Sequence, residues 1–417
     1  MKKLILIISC CFLGVYGNAQ YNNQFFEDTI QRLTISSEVY YNYGSNVMNN
    51  EMLNKFVFGG KIDKTIKNDV YNNLSNNNRL GGDLEYHLNV AIPFDTLAGK
   101  TNISLVVGLS QKEHADSKFS SDLFRFTFDG NKQFAGKTIN IGNTDFSYFK
   151  YQQMNIGFIS HKKKQGKMAT EGAIVSFIKA EEHFAITVPR GSLFTEEYGR
   201  EIDLDINYLY NTSDTAKKGF GAWNGFGVST ELFSQFFLKN GDKIHLGIKD
   251  LGFIQWNKQS LKYETDSLFH FEGIIVNNIF DLNDSLLSDI SKDSLINSIN
   301  TTQEKGSYSM ALPTSFTIDY TKYINDKWQF NGGIYYRILA NYFPLFYTNT
   351  SYFVSQNFIT RAHVSYGGYG KLNLGLALAY QLKNSYTLFL GSNNIDAFIS
   401  PSTSFANSGF VGIKAQF

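Results

Sequence analysis

The feature that most limits how this chain can fold is a two-residue rhythm, kept up over lengths that soluble strands rarely reach. From Leu372 to Leu382 the residues Leu372, Leu374, Leu376, Leu378, Tyr380 and Leu382 fall on one side, and Asn373, Gly375, Ala377, Ala379 and Gln381 on the other. Successive side chains of an extended backbone point to opposite faces, so this spacing predicts a strand with one apolar face and one small or polar face. Residues 84–92 repeat it, with Leu84, Tyr86, Leu88, Val90 and Ile92 opposite Glu85, His87, Asn89 and Ala91. So do Ile103, Leu105, Val107 and Leu109. Residues 202–210 set Ile, Leu and Tyr against Asp203, Asp205 and Asn207, and Ile244, Leu246 and Ile248 oppose His245, Gly247 and Lys249. Soluble strands average about 5 or 6 residues, whereas a tilted strand crossing a bilayer needs about 9 to 11.

Two architectures use many long amphipathic strands: a soluble sandwich and a membrane barrel whose apolar face meets lipid. Composition separates them. Aromatic residues make up 16% of the chain and charged residues only 18%, a surface too sparsely charged for a soluble protein of 417 residues. Lys+Arg 38 against Asp+Glu 37 leaves no basic footprint for nucleic acid. Nothing after Ala19 approaches the roughly 20 consecutive apolar residues of a spanning helix. The expectation is an all-β, antiparallel transmembrane barrel of about 14 strands, an even number between about 14 and 16.

Lys2 and Lys3 precede a short apolar run from Leu4 to Val15, and Gly17-Asn18-Ala19 provides small residues for cleavage. Residues 1–19 therefore read as a secretory signal cut after Ala19, with Gln20 first in the mature chain. Cys10 and Cys11 fall inside that segment, which leaves the mature chain without a disulfide, thiolate nucleophile or Cys-based metal site. At the other end Val411, Ile413, Ala415 and Phe417 alternate with Gly412, Lys414 and Gln416. A strand ending in an aromatic residue resembles the signal read by the barrel-assembly machinery, so Phe417 is the expected assembly residue.

Connection lengths suggest the topology. Residues 323–327, 354–357 and 383–384 read as tight turns, and the intervening 339–344, 367–371 and 393–408 as outward loops. By the same parity residues 276–313 form an extracellular insertion, with helical spacing of Leu and Ile over Asn283 to Ile299. Asn68 to Asn78 reads as a polar loop or an unpaired N-terminal segment, and alternating strands are expected from about Leu84. Residues 20–79 are then an N-terminal segment, a plug plus a first strand, and 80–417 the barrel. Tyr366, Tyr369, Tyr380 and Tyr386 suit the interfacial girdle.

At residues 249–257 the alternation breaks, as if a bulge at Gly252 turned Phe253 and Trp256 to new faces. This stretch, with Asp250, Leu251, Gly252, Phe253 and Trp256, and the later Leu312-Pro313-Thr314 resemble an uncharacterised family of outer-membrane barrel proteins of Bacteroidota. The motifs are structural, and no reaction or functional residue comes with the resemblance. A more distant similarity is to barrels of the long-chain fatty-acid-transporter type, which implies an N-terminal plug inside about 14 strands.

Chemistry in such a fold belongs on the inward faces, where polar groups are shielded. The candidates are Glu85, His87, Asp203, Asp205, His245, Lys249, Asp319, Arg337, Arg361 and His363. Each also has a plain reading, pairing across strands to stabilise the closed interior. Arg361, His363 and Ser365 lack the third orienting group and oxyanion site of a hydrolase. Glu181, Glu182 and His183 match no zinc spacing, and His161 with Lys162, Lys163, Lys164 and Lys167 suits a solvated turn. No cofactor or metal is called for.

Three functions remain. Passive transport of a hydrophobic or small polar solute leads, with a hydrophobic ligand as one expected partner. A structural or interaction barrel binding an envelope or extracellular partner follows, and an outer-membrane lipid hydrolase is third. An energised transporter with a large globular plug fits poorly, because alternation starts too early. The expected location is the outer membrane of a Gram-negative cell, in contact with its lipid. Fractionation checks this: the protein is expected in the outer-membrane pellet with Gln20 at its N-terminus, and recovery in the soluble periplasm would overturn the reading.

Overall fold

The computed structural model describes residues 32–97, 99–164, 167–238, 240–271, 302–383 and 385–417. Fourteen strands form a closed wall. They are β1 (Thr34–Ser45), β2 (Asn78–Leu97), β3 (Lys100–Phe119), β4 (Thr144–Lys164), β5 (Lys167–Thr195), β6 (Gly225–Phe237) and β7 (Lys243–Trp256), then β8 (Ser315–Asn325), β9 (Trp328–Arg337), β10 (Phe343–Ser355), β11 (Phe358–Gly368), β12 (Leu372–Leu382), β13 (Tyr386–Ser392) and β14 (Ala406–Gln416). Each pairs antiparallel with its neighbours. The seam is β14 on β1, in register from Thr34↔Gln416 to Gly44↔Ala406.

One end of the barrel holds the outer ends of β1 and β14 and six short turns, such as 97–100, 325–328 and 355–358. We call it the terminus end. The opposite, loop end carries everything long. Between β1 and β2 lie α1 (Asn50–Phe58) and α2 (Lys64–Tyr71), and α3 (Ser121–Asp129) follows β3. Each starts on a capping residue: Asn49 accepts from the Met52 N–H, Asp63 from Ile66 and Ser120 from Leu123. Val47, Met52, Leu53, Ile66, Val70, Phe119 and Phe124 pack as one apolar cluster beneath them. The polar loop expected at 68–78 is thus partly helix, because Ile66 and Val70 lie one turn apart and bury together. The described part of the N-terminal segment is a wall strand followed by two helices, so the first strand starts at Thr34, well before Leu84.

Beyond Ala180, β5 parts from β6, stays paired with β4 as far as Val188, and on its other edge pairs with a strand at Ile202–Thr212, which pairs in turn with Leu261–Phe271 to form a projecting sheet. Residues 302–305 and 309–311 are also strands, pairing with Leu261–Phe271 and β7. The helical reading of Asn283 to Ile299 lies outside the described residues. Among the described residues no helix is long and apolar enough to cross a membrane.

Burial follows the sequence rhythm. On β12, Leu372, Leu374, Leu376, Tyr380 and Leu382 face outward and are exposed, while Asn373, Ala377 and Ala379 face inward and are buried. Tyr366, Tyr380 and Tyr386 also point out. Tyr369 does not: it is buried at 4% exposure, and its ring occupies the space over Gly81, where a Cβ would come within 2.3 Å of it. The interior is tightly filled on this side, by Tyr40, Ile359, Ala377, Ala379, Phe389 and Phe410. Leu376→Arg should cost about 2 to 4 kcal/mol near a bilayer midplane and vary with lipid thickness. Ala377→Arg should be at least as costly, through overpacking, and indifferent to lipid. Unfolding in vesicles of two thicknesses tests this; the same lipid response from both would contradict the assigned faces.

Candidate functional site

The alternation that sends Leu84 and Tyr86 outward sends Asp83, Glu85 and His87 of β2 into the lumen. Beside them β3 presents Lys112, His114 and Asp116, and the register sets Asp83 against His114 and Glu85 against Lys112. His114 Nδ1 lies 2.7 Å from Asp83 Oδ1, and His87 Nε2 lies 2.8 Å from Glu85. Asn42 of β1 donates to Asp83 at 3.0 Å.

The decisive contact comes from the opposite wall. Arg337, at the end of β9, donates from Nη1 to Asp83 Oδ1 at 2.7 Å and approaches Glu85 at 3.8 Å. β2 and β9 are seven strands apart in either direction round the fourteen-strand ring. Fourteen strands spaced about 4.8 Å apart would enclose a round section roughly 21 Å across, before tilt widens it. An Arg and an Asp cannot meet across that distance. The section is therefore flattened here, and the lumen is bridged.

A third wall joins through an irregularity. Between β6 and β7 the register jumps from Thr230↔Leu251 to Leu232↔Ile248, so Lys249 and Asp250 together oppose Glu231. The bulge sits there, not at Gly252. Asp250 takes a φ of 57°, a left-handed conformation that Asp tolerates better than most residues. Two adjacent side chains consequently face inward: Lys249 lies 3.8 Å from Glu85, and Asp250 accepts from Lys112 at 2.6 Å and from Gln153 at 3.0 Å. Gln153 also reaches Ser229, and Tyr369 and Asp116 close on the far nitrogen of His114 at 3.3 and 3.6 Å. All of these groups are buried or nearly so. Such pairs confer little net stability when intact but are costly to break singly.

Of the residues expected from sequence, Glu85, His87, Lys249 and Arg337 meet in this network. His245 and Asp319 form a separate pair at 3.0 Å, with Asn331 donating to Asp319. Arg361 donates to Ser351 at 3.1 Å and His363 contacts Asn349 at 2.8 Å, on the inner face of β10 and β11. Asp203 and Asp205 are not in the lumen. Their strand belongs to the projecting sheet, where they pair with His270 and with Arg190. Sequence reasoning missed Lys112, His114 and Asp116, because residues 111–118 are polar on both faces and no apolar stripe reveals their direction; it also missed Gln153, and Asp83, which lies one residue before the 84–92 alternation and in phase with Glu85 and His87. Among the described residues no cluster of His, Cys, Asp and Glu could hold a metal.

The two sequence motifs meet at the bulge. Thr314 Oγ1 donates to the carbonyl of Asp250 at 3.1 Å, and the Leu312 N–H donates to Gly252 O at 2.9 Å. Trp256 is fully buried and stacks on His183, whose Nδ1 meets the Tyr308 hydroxyl. Pro313, which has no N–H to leave unpaired, sits at the step between the strand at 309–311 and β8. A family profile described as "Family of unknown function (DUF5723)" matches residues 29–393. The chain belongs to this family. No curated protein matches the sequence. Among solved structures, a deltaS2S3 mutant of the TodX monoaromatic hydrocarbon channel is similar at 10% identity over 97% of this chain and 95% of that one, TM-score 0.47. The Ralstonia pickettii toluene transporter TbuX is similar at 10% identity over 93% and 90%, TM-score 0.43. A Pseudomonas aeruginosa FadL homologue follows at 9% identity over 97% and 95%, TM-score 0.41. At these identities no residue role passes between the chains.

A double-mutant cycle tests the Lys112–Asp250 contact. Lys112→Met or Asp250→Asn alone leaves one charge buried without its partner and should cost about 3 to 5 kcal/mol. The double variant should lose less than the sum, as measured by denaturant unfolding in vesicles. Strictly additive losses would show that the two groups are not coupled.

Proposed function

We propose that this protein is an outer-membrane barrel for passive passage of a small solute, its lumen shut in the described state by the Asp83–Arg337 bridge. The carrying observation is the chemistry of the closure. At the level of Asp83 and Arg337 the lumen is crossed by paired polar and charged side chains, with apolar clusters packed beside them. Water and a polar solute can replace such contacts group for group, whereas an apolar interior would resist hydration. In this reading the short turns face the periplasm, and the helices and projecting sheet face outward. A signal cut after Ala19 and insertion by the barrel-assembly machinery complete it.

A second reading rests on a groove of about 560 Å³ on the outer wall, lined by Leu232, Leu246, Ile248, Phe316, Ile318 and Ile334 among others. Its size falls within the range of small-molecule sites and its lining is apolar. A hydrophobic solute arriving through lipid would lodge there. Planar-bilayer conductance and vesicle swelling separate the cases. Wild type should conduct weakly and intermittently, and Asp83→Asn with Arg337→Gln should raise conductance several-fold by removing both charges of the bridge. Leu246→Trp should alter only the uptake of a hydrophobic probe. If wild type and the double variant are equally tight to ions and to every small solute, passage is excluded and a structural role remains.

A further inference from the structure

A second lumen feature lies beside the charged network yet differs from it in chemistry. It is a cavity of about 40 Å³ at the loop end, with Tyr40, Asn42, Tyr342, Ser365, Tyr369 and Asn373 in its lining. The rest of the lining is glycine, Leu345, Ala406, Tyr43, Asn393 and Asn394, so no lining side chain carries a charge. Tyr369 is the partition: its hydroxyl turns to His114 at 3.3 Å, while its ring packs edge-on against Tyr342 at 5.1 Å.

The site is built rather than left over. β13 stops at Ser392, opposite Leu376, so above that level β12 and β14 are not joined by a strand. Residues 393–405 fill the gap. Ile395 N–H bonds Leu374 O at 2.6 Å and Asp396 accepts from the Leu374 N–H at 3.2 Å, completing the ladder. Ser408 and Ser392 pin the N–H groups of Asn393 and Asn394, each at 2.9 Å. At Gly367 and Gly368 φ is 114° and 65°, and a Cβ on Gly367 would strike Pro344 O at 2.1 Å, so the turn reaches the cavity as bare backbone.

One group in the lining is unsatisfied. Asn373 is 6% exposed and donates to Ser365 Oγ at 3.4 Å, but its Oδ1 has no hydrogen-bond partner among the described residues. That oxygen lies 3.6 Å from where a Cβ on Gly370, another lining residue, would stand. A buried acceptor without a partner favours a ligand that brings a donor.

We propose that this cavity binds the hydroxyl edge of a small neutral polyol, glycerol or a larger one. The proposal rests on the passage reading and names the solute class. Hydroxyls both donate and accept, which suits amide and phenol partners, and their carbons can lie against the tyrosine rings. An ion would lose hydration with no countercharge in the lining, and an alkyl group would leave Asn373 Oδ1 unpaired. A volume of about 40 Å³ holds about three water-sized groups, enough for one hydroxyl-bearing end of glycerol with the rest of the molecule at the cavity mouth.

Saturation-transfer NMR on the full chain in detergent, comparing glycerol, 1-propanol and lactate, tests this at constant carbon number. Glycerol should bind saturably and in preference to the other two. Asn373→Leu should weaken it about three- to tenfold and abolish the preference over propanol, and Ser365→Ala should weaken it less. Retained heat-modifiable migration on gels shows that each variant is assembled. Equal binding of all three compounds, no saturable glycerol binding (a cavity holding water only), or indifference to both substitutions would overturn the proposal. Conductance of the Asp83/Arg337 double variant does not depend on Asn373, so failure of glycerol binding and failure of the passage reading are distinguishable.

Discussion

Everything in this structure depends on closing the hydrogen-bond ladder. In hydrocarbon an unpaired backbone N–H or C=O costs several kcal/mol, so a sheet facing lipid can have no open edge. This chain leaves no such edge, pairing β14 with β1 along eleven register positions. Closure inverts the usual arrangement: most leucines turn outward, and the polar residues of the strands are enclosed together with a few packed aromatic rings. The interior must then satisfy its own polar groups.

Where the wall departs from regular pairing, side chains gather that a regular strand could not bring together. The bulge on β7 places Lys249 and Asp250 side by side in the lumen, although adjacent residues of a plain strand face opposite ways. Its free carbonyl groups are taken by the segment around Pro313, so the bulge and that segment support each other. A similar slip occurs on β5. The register passes from Lys150↔Glu182 to Tyr151↔Ala180 and leaves Glu181 as the extra residue, bonded to Gln152 just where β5 parts from β6. The short β13 opens the gap that residues 393–405 close and behind which the neutral cavity lies. Each irregularity thus either re-aims a group or opens a space.

Much of the fold was legible because period two is a local property. The faces of β12 and β14, the tight turns after β8, β10 and β12, and the polar side of β2 could all be read from neighbouring residues. Errors arose where the local signal is ambiguous. Residues 202–210 alternate as cleanly as a wall strand, since a projecting sheet also has two unlike faces, and this drew Asp203 and Asp205 into the lumen. Tyr369 looked like a girdle residue because its position at a strand end is typical of one. Only Gly81, far away in sequence and lacking a side chain, makes room for it inside.

By itself the sequence determined which residues face outward and which meet the interior, because a strand's alternation is set residue by residue. It also determined that Glu85, His87, Lys249 and Arg337 would face a shared enclosed space. What only the tertiary structure decided is who meets whom across that space. Asp83 and Arg337 are 254 residues apart and come from opposite sides of the ring, and their contact exists because the section is flattened. Strand count and alternation leave the shape of that section open. It is set by the summed packing of interior side chains, by the bulges and by the closing seam, none of which any short window of the chain contains.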